Sequence, residues 1–144
     1  MRHNDFRFHF DIRVRWAEVD AQGIVFNPHY LMYADLGVTE YYRAIGMPYP
    51  EAFDVSDSDL YTKKSTIEYH APAHYDDSLK LLVRVSRLGR SSFDFAIEIL
   101  RGKDAIASVQ IVYVNANIEK KQSVPLSEKF RSACKDYEIV APMQ

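Results

Sequence analysis

Asn27-Pro28-His29-Tyr30-Leu31-Met32-Tyr33-Ala34-Asp35-Leu36-Gly37-Val38-Thr39-Glu40-Tyr41-Tyr42-Arg43-Ala44-Ile45-Gly46 reads as a single helix from Pro28 to Ile45. Asn27 supplies an N-cap and Pro28 the first helical position, while Gly46 and Pro48 stop the pattern. Tyr30, Leu31, Met32, Tyr33, Ala34, Leu36, Val38, Tyr41, Tyr42, Ala44 and Ile45 surround the axis, too much apolar surface for one stripe. The helix is therefore expected to be buried on most sides. Gly37 sits in its middle, where glycine costs ~1 kcal/mol relative to alanine, which points to a backbone or sheet approaching closely.

Upstream, the alternation from Phe6 to Trp16 predicts a long half-buried strand, with Phe6, Phe8, Phe10, Ile12, Val14 and Trp16 on one face. Downstream, residues 51–60 are acidic and lack apolar periodicity, and they read as a surface loop with a short helical turn. Strands are expected over Tyr61–His70, Leu79–Leu88, Ser91–Leu100 and Ala105–Ala116. The turns Leu88-Gly89-Arg90 and Arg101-Gly102-Lys103-Asp104 place glycine where a hairpin needs positive φ, so these strands are antiparallel neighbours. A short helix follows Pro125, opening at Ser127 and running to about Lys135. The plan is α+β: a curved five-stranded antiparallel sheet packed on one long helix, with a short C-terminal helix. Two open sheet edges and one covering helix favour pairing with a second copy, at least a homodimer.

With 144 residues and 47% apolar content, the chain is expected to form one compact domain over 1–144. Eighteen Lys and Arg against 20 Asp and Glu leave a net charge of −2, which offers nucleic acid no global attraction. No stretch approaches the ~20 apolar residues that span a bilayer, so membrane insertion is not expected. The lone Cys134 and a polar N-terminus point to a reducing, cytoplasmic setting.

The loop before the long helix brings Asp20 beside a helix N-terminus, with Gly23 allowing a tight turn or a close ligand. Unpaired amides and the helix dipole there can stabilise a developing oxyanion. A carboxylate and an oxyanion site in one loop suffice for acyl transfer, with Asp20 attacking or activating water. The alternative is that Asp20 only caps its own turn.

The run Asp20-Ala21-Gln22-Gly23-Ile24-Val25-Phe26-Asn27-Pro28-His29-Tyr30 resembles the loop-to-helix motif Asp-x-x-Gly-Ile-Val-x-x-x-x-Tyr of the 4-hydroxybenzoyl-CoA thioesterase and YbgC-like branch of hotdog-fold proteins. Leu88-Gly89-Arg90-Ser91-Ser92-Phe93 is similar to the hairpin of that family that contacts the phosphorylated nucleotide end of coenzyme A, and the resemblance extends from Phe8 to Asn117. It implies a hotdog fold, a dimer or tetramer with sites at the subunit interface, acyl-CoA as small-molecule substrate and no cofactor. It also implies that Asp20 is the nucleophile or general base, and that an amide near Asn27, within the Gly23, Phe26, Asn27 and His29 stretch, polarises the thioester. Arg90, Ser91 and Ser92 would hold CoA phosphate.

Many members of the branch carry histidine where this chain has Asn27. Another hotdog branch places its carboxylate on the central helix, which makes Asp35 the second choice. Glu40 is third, against its reading as a partner for Arg43. Phe26, Tyr30 and Tyr33 either line an acyl pocket or are ordinary core. His70 and His74 lack ligand spacing with any Cys or carboxylate, so no metal is assigned. No Gly-x-Ser-x-Gly elbow or phosphate-binding Gly-rich loop occurs. Two other readings remain: a non-catalytic acyl-CoA or acyl-carrier binding module on the same fold, and a hydratase or dehydratase, which would need a paired His and carboxylate.

Overall fold

The computed structural model describes residues 2–53 and 57–144. In chain order the elements are β1 (Phe8–Arg13), α1 (Pro28–Ala44), β2 (Asp59–Tyr69), β3 (Ser78–Leu88), β4 (Ser92–Arg101), β5 (Asp104–Asn117), β6 (Gln122–Ser123) and α2 (Glu128–Tyr137). Each expected strand and both helices are present within a few residues of their predicted bounds. Of the expected loop over 51–60, Glu51–Phe53 forms one 3-10 turn, β2 takes up its last residues from Asp59, and 54–56 lie outside the described residues.

The sheet order is β1-β3-β4-β5-β2, every neighbour antiparallel, and the two-residue β6 pairs with the end of β5 as a sixth strand absent from the expected plan. The sheet curls around one side of α1. Tyr30, Tyr33, Ala34, Gly37, Val38, Tyr41 and Tyr42 of α1 are buried against Leu81, Val83, Val85, Phe93, Phe95 and Ile97. Burying each large side chain contributes about 1.5–3 kcal/mol. Gly37 marks the closest approach: a Cβ built there would lie 2.9 Å from Cγ2 of Val83 and 3.4 Å from Cδ1 of Leu81.

Four details differ from expectation. The β1 alternation holds only from Phe8 to Val14: 3-10 turns at His3–Asp5 and Trp16–Glu18 rotate the chain at both ends. Phe6 thereby joins Leu82 and Leu100 in a separate small cluster, and Trp16 stands 71% exposed against Tyr75, ring centroids 4.9 Å apart. Second, α1 is not covered on most sides, since Leu31, Met32 and Leu36 are exposed. Third, Asn27 gives no side-chain cap; its backbone is already helical (φ −44°, ψ −46°), whereas a capping side chain needs an extended residue to fold back on the next amides. Ser127 caps α2 in that way, accepting from the Phe130 amide at 3.1 Å. Fourth, only Gly102 of the two turn glycines has positive φ (+63°). Gly89 serves close approach instead, because a Cβ would meet Nη1 of Arg87 at 2.6 Å and the Ser92 carbonyl at 3.0 Å.

Candidate active site

The loop between β1 and α1 folds on itself through main-chain bonds. Val19 bridges Val25, the Asp20 amide donates to the Ile24 carbonyl (2.9 Å), the Phe26 amide to the Glu18 carbonyl (3.0 Å) and the Gly23 amide to the Asp20 carbonyl (2.9 Å). Gly23 has φ +78° with open space where a Cβ would sit, so backbone conformation rather than crowding selects glycine there. A second layer, residues 72–75, lies on the first: Ile24 bridges His74, the Val25 amide donates to the Ala73 carbonyl (2.9 Å), and the Tyr75 amide to the Gly23 carbonyl (3.3 Å).

Asp20 is exposed on this framework. Its Oδ1 accepts from the Gln22 amide at 2.8 Å, so the turn-capping bond is real. Oδ2 has no partner among the described residues, leaving one carboxylate oxygen available. At the start of α1 the Phe26 and Asn27 carbonyls accept from His29 and Tyr30, while the Asn27 amide itself has no partner among the described residues. This is the unpaired donor a helix N-terminus offers to a developing negative charge.

Two side-chain bonds that sequence reasoning did not foresee tie α1 to the loop and to the 72–75 layer. Glu18 is buried; its Oε1 accepts from the Arg15 amide (2.9 Å) and the Tyr33 hydroxyl (2.9 Å), and its Oε2 from Nε of Arg15 (2.8 Å). Burial opposes the charge, yet the bonds from Arg15 and Tyr33 and the Arg15 charge outweigh it and keep the carboxyl below its usual range. Burial and the Glu18 carboxylate push the Tyr33 phenol up. The available signal was the i,i+3 spacing of Arg15 and Glu18, with Tyr33 on the facing helix. The Tyr30 hydroxyl likewise accepts from the Ala73 amide at 3.1 Å. Tyr30 and Tyr33 are thus core residues with pinned hydroxyls, whereas Phe26 is 54% exposed. His29 is half-buried beside the Phe26 ring, and its Nδ1 has no partner among the described residues.

The remaining candidates lie elsewhere. Asp35 is on the exposed side of α1, about 10 Å along the axis from Pro28, and lines a cavity of about 260 Å³ with Tyr42, Tyr49, Thr62 and Tyr113. It has no ion pair among the described residues. Glu40 pairs with Arg43, the structural role expected of it. His70 bonds Ser108 and His74 contacts Asp77; among the described residues no group of three or more His, Cys, Asp or Glu could hold a metal ion. No helix among them is long and apolar enough to cross a membrane.

Arg90, Ser91 and Ser92 form the turn at the other end of β3. The Arg90 guanidinium is exposed without a partner among the described residues, and its carbonyl is held by the Leu126 amide (2.9 Å) and by Nη2 of Arg131 (3.0 Å). The Ser92 hydroxyl is already taken by Arg87 (2.9 Å), and the Ser91 carbonyl accepts from Asn115 (2.8 Å). β3 starts at Ser78, opposite Arg13 and the Asp20 loop, and ends at Leu88. Ten steps of ~3.3 Å give β3 a length of up to about 33 Å, less what the bulge between Val85 and Arg87 takes up. One chain therefore does not bring Asp20 and Arg90 together.

Comparison with known proteins agrees with this fold. Residues 14–134 match the Thioesterase-like superfamily. The acyl-CoA thioester hydrolase YbgC of Escherichia coli is 26% identical over 127 residues, covering 86% of this chain and 94% of its own. A 1,4-dihydroxy-2-naphthoyl-CoA thioesterase from Synechocystis superposes with a TM-score of 0.83 at 21% identity, covering 90% of this chain and 96% of its own. A thioesterase from Thermus thermophilus, crystallised with coenzyme A and zinc, gives a TM-score of 0.79 at 24% identity, covering 93% of this chain and 96% of its own. Matched over most of its length and folded as these neighbours are, the chain belongs to the thioesterase-like superfamily and has the hotdog fold.

Proposed function

We propose that the protein hydrolyses an acyl-CoA thioester to the free acid and CoA, with Asp20 as its catalytic residue. The observation that carries this reading is an exposed carboxylate, fixed by main-chain bonds, on the loop that leads into a helix start whose Asn27 amide is unpaired among the described residues. The thioester oxygen accepts from that amide, which draws charge off the carbonyl carbon. Asp20 then attacks the carbon to form a mixed anhydride and expel CoA thiolate, which takes a proton from water; a second water cleaves the anhydride and restores the carboxylate. In the general-base variant Asp20 removes a proton from the attacking water, and the same products leave. Gly23, Phe26 and His29 shape the entry to this site. No cofactor takes part, since CoA is part of the substrate.

The assembly we propose is a homo-oligomer, at least a dimer, in which Arg90 of one copy meets the phosphorylated end of a CoA whose thioester lies at Asp20 of the other. Three features support it: the placement of Asp20 and Arg90 toward opposite ends of β3 within one chain, the free edge of β2, and the exposed Leu31, Met32 and Leu36 on α1. The buried free thiol of Cys134 suits a cytoplasmic setting.

Release of free CoA from short, long and aromatic acyl-CoAs by wild type and Asp20→Ala tests the reading. Turnover is expected to fall by about a thousandfold or more in the variant. A folded Asp20→Ala protein within tenfold of wild type would remove Asp20 from the chemistry, and a wild type that binds acyl-CoA without releasing CoA would favour the binding module.

A further inference from the structure

The segment that clamps the Asp20 loop is held to β1 at its far end, by main-chain bonds between Val14 and residues Asp76 and Asp77 and by Arg13 on the Asp76 carbonyl, and from behind by the Arg101 guanidinium. Arg101 ends β4, and its Nη1 donates to the Pro72 carbonyl (3.1 Å) and to Oδ2 of Asp77 (2.7 Å), lying 3.4 Å from Nδ1 of His74. Oδ2 of Asp77 also accepts from the His74 amide (2.8 Å), and the Asp77 amide donates to the His74 carbonyl (3.1 Å). Residues 72–77 are thus closed into a compact turn that is pinned to the sheet at both ends of its arc. The front of that turn carries the carbonyl of Ala73 and the amide of Tyr75, the two groups that fix Val25 and Gly23. Its Ala73 amide also reaches the Tyr30 hydroxyl on α1.

From this arrangement we infer that Arg101 is a positioning residue for the reaction at Asp20, acting through Asp77 and the 72–77 turn. The inference rests on the thioesterase reading of the site. Among the described residues Arg101 makes no hydrogen bond to the Asp20 loop or to the start of α1, where its charge reaches the Tyr30 phenol only at a distance, so its hold on the loop passes through the main-chain bonds of the turn. A lost anchor lets Ala73 and Tyr75 drift, and Gly23, Val25 and the Asp20 carboxylate drift with them relative to the Asn27 amide. Small misplacements of a reacting group are costly because the barrier depends on near-contact geometry. A single nitrogen, Nη1 of Arg101, serves the Pro72 carbonyl and the Asp77 carboxylate together, so a lysine ammonium that reached the same point could replace part of the anchor.

The experiment compares wild type, Arg101→Gln and Arg101→Lys by CoA release and by amide hydrogen exchange at Asp20, Val25 and Tyr75. In Arg101→Gln we expect kcat to fall about tenfold with KM within about twofold, and exchange at the three amides to rise about tenfold; Arg101→Lys should recover part of both. Unchanged exchange at those amides, or an unchanged kcat beside a lowered Tm, would overturn the inference and leave Arg101 a stabilising residue only. Should wild type release no CoA from any substrate, the thioesterase reading fails by itself. Hydrogen exchange then still decides whether Arg101 fixes the loop.

Discussion

Where β1 gives way to the Asp20 loop, the chain is held by its own backbone: residues 18–26 fold on themselves and rest on 72–75 through amide-to-carbonyl bonds. At the opposite end of β3, main-chain bonds from Leu126 to Arg90 and from Asn115 to Ser91 are joined by rings and one arginine. Phe93 packs on Phe130 at 4.8 Å and on Phe95 at 5.5 Å, and Arg131 of α2 reaches the carbonyls of both Gly89 and Arg90. Both ends finish with a charged side chain in water, Asp20 at one and Arg90 at the other. The lesson is that the Arg90 guanidinium sits on a frame built without it, whereas the Asp20 carboxylate also caps its own turn through the Gln22 amide, so removing the Arg90 charge should cost less fold than removing Asp20. Their placement is equally informative, because the two lie at opposite ends of β3, a strand of up to about 33 Å.

The largest effect should come from mixing the two ends. Asp20→Ala is expected to be inactive, and Arg90→Ala to raise KM about tenfold through loss of a charge-assisted phosphate contact. Unfolded together in equal amounts and refolded, random pairing makes half of the dimers hybrids. If Asp20 of one copy works with Arg90 of the other, each hybrid has one intact site. Activity measured well below the wild-type KM then returns to about a quarter of wild type. If both residues served the same chain, every hybrid site would be damaged and recovery would stop near a twentieth.

What the sequence disclosed divides along the same line. The helix, the strands with their two hairpins and the close approach at Gly37 were legible because each follows from periodicity, turn residues or a single residue's sterics, whereas the pairing of β1 with β3 and of β2 with β5 was not. The α1 composition called for a surrounding sheet, which covers one side of the helix, and Val83 and Leu81 lie where glycine asked for them. The loop with Asp20 was legible as a motif and lies beside α1 as expected, though its turn-capping bond to Gln22 shows that the structural reading of that aspartate is also true. Glu18 with Tyr33 and Arg101 with Asp77 were not legible, since those partners meet only after β1, α1 and β4 have packed. The placement of Phe6 and Trp16 escaped for a related reason: a 3-10 turn resets the face of a side chain without disturbing the alternation that predicts it.

A smaller effect probes the contact between the ends. Gly37→Ala should destabilise by about 1–2 kcal/mol in urea, the overpacking cost of ~1–3 kcal/mol exceeding the ~1 kcal/mol that alanine gains in helix propensity. Val83 is fully buried and stiff at χ1, so its methyl has little room to withdraw from a Cβ at 2.9 Å. A neutral or stabilising result would mean that β3 yields at this point and is a looser spacer than its packing implies.

The smallest effect is one of sign. Glu18, near the Asp20 loop, and Glu138, near Val85 of β3, are both buried carboxylates. Burial pushes the Glu138 carboxyl up, against bonds from the Tyr41 hydroxyl and the Val85 amide and the charges of Arg84 and Arg7, whereas the bonds from Arg15 and Tyr33 carry Glu18 below its usual range despite burial. A carboxyl lowered by folding contributes stability that is present above its unfolded pKa of about 4.3 and is lost as pH falls through the folded value. One raised by folding contributes most below its unfolded pKa, and that contribution is lost as pH rises through the folded value. Thermal unfolding of Glu18→Gln and Glu138→Gln beside wild type, stepped from neutral to acid, isolates each group because all others titrate alike in the pair. The wild-type advantage over Glu18→Gln should shrink as pH falls below the ordinary carboxylate range, while its standing against Glu138→Gln should improve over the descent from neutral pH. Parallel curves for the two variants would mean that hydrogen bonding does not set these two carboxyls apart, and that burial governs both ends of the sheet alike.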